Sequence, residues 1–180
     1  TDAQTPDNTS KLEVRLGNHP FIPALANDPT LTASDISLFD FKNLAVFDSI
    51  ASTDTAAFTQ HAKTRHDVDY DTTGGFVGSI SSIDDFGTGA KETKDFTGLE
   101  IILGLKDAGA PSSITLQLED STGKKDQVTL TGINGTEKFY KVAAGLFDDV
   151  DLTQITGIVL VLTDAQTPDN TSKLEVRLGN

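Results

Sequence analysis

The first eighteen residues of this chain return, unchanged, as its last eighteen: Thr-Asp-Ala-Gln-Thr-Pro-Asp-Asn-Thr-Ser-Lys-Leu-Glu-Val-Arg-Leu-Gly-Asn occupies 1–18 and again 163–180, an offset of 162 residues. Chance does not produce an identity of that length. It reads as a window on a tandem array with a 162-residue unit, as a segment duplicated by design, or as one strand carried at both ends for assembly, with the array the preferred reading. The segment also declares its own conformation. Leu174, Val176 and Leu178 alternate with Lys173, Glu175 and Arg177, the period of two that marks a strand with one buried face. The first copy presents the same apolar face through Leu12, Val14 and Leu16, which makes it a candidate assembly strand that seeks a sheet edge.

The identity also sets boundaries. Residues 1–18 read as the last strand of a preceding repeat or as an exchanged strand, 19–35 as a connector, and 36–180 as one complete domain. The connector holds Pro20, Pro23 and Pro29, three of the six prolines, so it is semi-rigid and partly extended. Phe21 and Ile22, with Leu25, are too apolar for a free linker and are expected to pack on a neighbouring surface, which adds Phe21 and Ile22 to the assembly candidates.

After residue 36 the patterning is nearly all β. Segments 37–46, 75–83, 99–106, 113–119, 127–131, 138–142, 157–162 and 173–178 read as strands, with a turn at 120–125 and one helical turn near 149–155 capped by Asp149 or Asp151. The spacing predicts a final hairpin between 157–162 and 173–178. Some eight or nine strands in one domain give an all-β sandwich. Composition agrees: of 27 acidic residues only six are glutamate, while 15 glycines and many threonines suit strands joined by acidic loops.

Charge and chemistry exclude several functions. A net charge of −13 repels the nucleic-acid backbone and anionic membranes. The absence of cysteine removes thiol catalysis and cysteine-ligated metals. No apolar run approaches the ~20 residues that span a bilayer, and no basic n-region with an apolar h-region opens the sequence. His61 and His66 are a weak zinc pattern without a third ligand, and no Gly-x-Ser-x-Gly elbow occurs, so no enzyme is expected. Asn8, Asn134 and Asn170 stand in glycosylation sequons. An acidic, cysteine-free, Thr-rich β domain suits a secreted or cell-surface setting.

The run Leu99-Glu-Ile-Ile-Leu-Gly-Leu-Lys, followed by Ile114-Thr-Leu-Gln-Leu-Glu-Asp-Ser-Thr-Gly-Lys-Lys, resembles the middle of a galactose-binding-like jelly roll of the carbohydrate-binding-module type. Lys138-Phe-Tyr-Lys-Val, Leu146 to Val161, and the openings Phe39-Asp-Phe-Lys-Asn-Leu and Gly74-Gly-Phe-Val-Gly extend the likeness over about 38–180. The resemblance implies a jelly-roll sandwich and sugar binding on exposed aromatics. Tyr70 and Tyr140 are the candidates, since Phe supplies the other ten aromatics and belongs mainly to cores. It also implies a structural calcium ion between the first and last strands, where Asp40 and Glu175 match by position. Independently, Asp67, Asp69 and Asp71 alternate as in the first half of a calcium loop, three carboxylates on one side of an extended chain. The expected function is a structural repeat of an extracellular fibre, adhesin shaft or filament, joined to copies of itself head to tail. The alternative is a carbohydrate-binding module with a glycan as partner.

Overall fold

The computed structural model describes residues 24–37, 39, 41–48, 56–62 and 65–180. The whole of the first copy of the repeated segment, with Phe21, Ile22 and Asp40, lies outside the described residues. Among the described residues eleven strands form two sheets. Strands β1 (Ala24–Leu25), β2 (Asn43–Asp48), β5 (Phe76–Ser82), β7 (Ser113–Asp120), β8 (Lys125–Thr131) and β10 (Ile155–Thr163) make the first, in the order β1-β8-β7-β10-β5-β2. Strands β3 (Ala56–Ala62), β4 (Arg65–Asp71), β6 (Glu100–Asp107), β9 (Lys138–Ala143) and β11 (Thr171–Gly179) make the second, in the order β3-β4-β11-β6-β9. This is the expected all-β sandwich, and from β4 to β7 and from β8 to β11 each consecutive strand crosses to the opposite sheet.

Period-two patterning decides which side chains enter the space between the sheets. In β7, Ile114, Leu116 and Leu118 are fully buried while Thr115 and Gln117 are not. Facing them, β6 supplies Ile101, Leu103 and Leu105, and β11 supplies Leu174, Val176 and Leu178. Burying each such side chain stabilises the fold by about 1.5–3 kcal/mol. Phe39, Phe41, Phe96 and Phe147 add to this core, with the Phe39 and Phe96 rings stacked at 5.3 Å. Four of the ten phenylalanines thus lie where a residue without a polar atom belongs, while Phe86 is 61 % exposed.

Two expectations need correction. The 157–162 and 173–178 segments do not form a hairpin: β10 pairs with β5 and β7, whereas β11 lies in the other sheet between β4 and β6. A period-two pattern fixes a strand's buried face, not its partner, and the seven-residue link between β10 and β11 is long enough to cross the sandwich. Residues 65–71, read above as the first half of a calcium loop, form a strand: His66, Val68 and Tyr70 face the core, with Asp67, Asp69 and Asp71 on the other side. The 120–125 turn and the cap at Asp151, whose carboxylate accepts the Thr153 N–H, are as expected.

The latter part of the connector belongs to this sandwich. β1 adds in parallel to the edge of β8, Asp28 donates its N–H to the Phe139 carbonyl on the edge of β9, and Ser37 pairs with Asn180 at the end of β11. Leu25 packs against the core. The segment closes two exposed sheet edges that would otherwise invite pairing with another chain.

Candidate functional site

The outward face of the five-stranded sheet gathers most of the cross-strand ion pairs among the described residues, Glu119–Lys125 of the other sheet being an exception. Because β3, β4, β11, β6 and β9 are held in antiparallel register, outward residues line up in rows. One row runs Thr59, Asp67, Glu175, Lys106; the next runs Arg65, Arg177, Gly104, Phe139. Lys106 Nζ lies 2.6 Å from Glu175, and Arg177 Nε lies 2.7 Å from Glu137. Lys173 Nζ stands 3.3 Å from Asp69 and 4.0 Å from Asp67. Arg65 and Arg177 are directly opposite, a repulsive pairing relieved by Glu175 at 4.0 Å from the first and Glu137 beside the second. These half-exposed pairs contribute little stability, since solvent screens them. What they provide is a flat field of donors and acceptors held at fixed spacing.

Two features break the pairing. Asp67 is only 12 % exposed at its side chain; its Oδ2 meets His61 Nε2 at 2.9 Å, but Oδ1 is buried and no donor among the described residues reaches it. A buried carboxylate oxygen without a donor costs on the order of 1–3 kcal/mol, so a hydroxyl delivered from outside would be well received. Near the other edge, Phe139 lies half-buried against Gly104: a Cβ built on that glycine would stand 2.9 Å from Phe139 Cε1 and 3.0 Å from Glu137 Oε1. Glycine in the middle of an apolar strand is therefore what lets this ring lie down on the sheet.

Behind the face, the inward side chains of β4 are locked. His66 Nε2 bridges to the Ser79 hydroxyl of the opposite sheet at 2.9 Å, and burial pushes its pKa down to about 4, against a smaller upward pull from Asp67. Tyr70 donates to Asp107 Oδ2 at 2.8 Å, while Asp107 Oδ1 accepts from Ser172 and the Gly109 N–H. Burial and the Asp107 carboxylate push the Tyr70 hydroxyl well above its ordinary range.

The sequence-derived candidates divide against this geometry. Tyr70 and Tyr140 are both in the core; Tyr140 donates to the Thr131 carbonyl at 2.9 Å, and burial pushes its pKa to about 12. Neither offers a face for stacking, because a tyrosine on an inward strand position is a core residue with a satisfied hydroxyl. Asp67, Asp69 and Asp71 do share one face, as their alternation implies, and each is already engaged by a protein group: Asp67 by His61 Nε2, Asp69 by Lys173, and Asp71 by the Thr73 N–H at 2.9 Å. Glu175 is likewise paired with Lys106. Among the described residues the carboxylates that do converge are Asp126, Asp148 and Asp149, at the start of β8 and in the segment after β9. Composition directs attention to tyrosine and so passes over Phe139; the glycine interrupting Ile101 to Leu105 is the one sequence signal that points to it.

No protein-family model matches the chain, and no curated protein matches it. Solved structures do. The family 11 carbohydrate-binding module of a cellulosomal cellulase of Clostridium thermocellum aligns with TM-score 0.51 at 16 % identity, covering 77 % of this chain and 88 % of that one. The family 30 module of another cellulosomal cellulase of that organism aligns with TM-score 0.52 at 13 % identity, over 79 % and 93 %. An exo-beta-agarase aligns with TM-score 0.53 at 12 % identity, over 79 % of this chain and 24 % of its own. At these identities the likeness is one of fold: the chain has the jelly-roll sandwich of carbohydrate-binding modules.

Proposed function

We propose that this chain is a non-catalytic glycan-binding module of a secreted or cell-surface protein, and that it holds its ligand on the outward face of the five-stranded sheet. The observation that carries the reading is the buried, unpartnered Oδ1 of Asp67 on a face otherwise filled with paired charges. A sugar presents vicinal hydroxyls, each donor and acceptor, and an apolar ring face. Asp67 and Glu175 accept such hydroxyls, Lys106 and Arg177 donate to ring and exocyclic oxygens, and the Phe139 ring receives the apolar face of one sugar unit. His61 and Lys173, both half-exposed, approach Asp67 through Oδ2 and leave Oδ1 unpaired. The fold likeness to modules of cellulosomal cellulases and to a domain of an agarase supports testing cello-oligosaccharides and agaro-oligosaccharides first. Screening that panel with the parent protein and with Asp67→Ala and Phe139→Ala is the test: binding by the parent, reduced about tenfold or more in each variant at unchanged melting temperature, is expected. Equal binding by all three would remove the face from the argument.

A second reading is compatible with the first. The identity of 1–18 with 163–180 favours a repeat unit in a long extracellular chain, joined to neighbouring copies through the terminal strand and the connector. In such an array the unit spaces as well as binds.

A further inference from the structure

The duplicated segment meets a single slot. In the second copy, β11 fills the space between β4 and β6, with Leu174, Val176 and Leu178 in the core and Ser172 bonded to Asp107. Gly179 is tight against the Ser37 carbonyl, where any Cβ would collide, and Asn180 pairs with Ser37. Before the strand, Gln166 anchors on Ser113 and Thr115, and Thr167 meets Thr72. The first copy carries the same residue at every one of these positions, from Gln4 through Leu12, Val14 and Leu16 to Asn18. A slot that accepts 163–180 therefore accepts 1–18.

We propose that residues 1–18 are a spare closing strand, able to complete their own chain's β4–β6 slot in place of 163–180. The sequence is a common core, 19–162, flanked by two identical closers, so 1–162 and 19–180 are circular permutants of one domain. The connector has the reach. With Asn18 standing where Asn180 stands, the chain must travel to Ala24, which lies beyond β8 on the opposite sheet. Three strand spacings and one sheet spacing put that at about 17 Å, while six residues span up to ~20 Å. The count of closers also decides what exchange between molecules can do. Each chain brings two closers and one slot, so trading strands with a neighbour leaves as many closers unplaced as before, and gives no net drive toward a filament. Closure within the chain has the advantage of effective concentration. In a tandem array the same logic lets each shared segment complete either the unit before it or the unit after it.

The test uses the full chain. Val176→Asp puts a charge at a position 1 % exposed in β11, and Val14→Asp does the same to the spare. Each single variant is expected to melt cooperatively, as a monomer in sedimentation, within about 5 °C of the parent, since the intact closer takes the slot. The double variant Val14→Asp/Val176→Asp is expected to lose cooperative folding. Val176→Asp failing as badly as the double variant would overturn the proposal. So would a double variant as stable as the singles, because the slot would then not need an intact closer. A dimeric Val176→Asp would place the rescuing strand on another molecule and overturn closure within the chain.

Discussion

Acidification should loosen this sandwich through one residue. His66 is buried, its Nε2 tied to Ser79 across the two sheets and its ring 5.1 Å from that of Phe58. Desolvation sets its folded pKa near 4, whereas an unfolded histidine titrates near 6.5. Above pH 6.5 the imidazole is neutral in both states and contributes no pH dependence. Below it the unfolded chain takes up a proton that the native chain refuses, so stability falls by up to about 1.4 kcal/mol per pH unit until the folded pKa is reached. The loss amounts to about 2 kcal/mol between pH 7 and pH 5, and about 3 kcal/mol by pH 4. Denaturant unfolding at a series of pH values, run beside His66→Gln, isolates this contribution: the carboxylates are common to both proteins and cancel in the difference. The stability difference should shrink by about 2 kcal/mol from pH 7 to pH 5. Should the variant fold poorly, the imidazole carbon shifts of the parent report the same quantity directly, staying those of neutral histidine down to about pH 4. A flat difference, or an imidazole that titrates near 6.5, would refute the reasoning.

Three further outcomes follow from the packing. Asp120→Ala should cost about 2–4 kcal/mol, read by denaturant unfolding, because one carboxylate serves the N–H groups of Thr122, Lys124 and Asp151 and the Thr122 hydroxyl; those bonds also hold its pKa down to about 2. Tyr70→Phe should destabilise by about 1–3 kcal/mol by removing the donor to buried Asp107, while glycan affinity stays at the parent value, since the hydroxyl faces away from the binding face. Gly104→Ala should lift the Phe139 ring off the sheet, lowering glycan affinity more than it lowers the melting temperature; an unchanged affinity would mean that the ring's seat does not matter.

Much of the fold was legible because burial in a sandwich imposes a local period. The alternation in Ile114 to Leu118 and in Leu174 to Leu178 names both the strand and its inward face, and the structure agrees at each position. Strand partnership was not legible: nothing in 157–178 says that β10 and β11 belong to different sheets, since the register is decided by long-range packing. The 65–71 strand was hidden by its composition, because aspartates on the outward positions of a strand look like those of a loop. At the candidate site, alternation did place Asp67 and Asp69 on one face. The pairing of Asp69 with Lys173 depends on a strand far away in sequence, as does the seat of Phe139 on Gly104. Aromatic chemistry alone pointed to Tyr70 and Tyr140, whose hydroxyls are satisfied inside the core.

The central claim is that a glycan lies on the outward face of the five-stranded sheet. Amide chemical-shift mapping during titration with the cello- and agaro-oligosaccharides of the panel tests it most directly. The account predicts saturable shifts concentrated on β4, β6, β9 and β11, largest around Asp67, Gly104, Phe139 and Glu175, with the outward face of β7 and β8 unmoved. Shifts confined to the six-stranded sheet or to the loops at either end, or no saturable shift with any oligosaccharide of the panel, would contradict it.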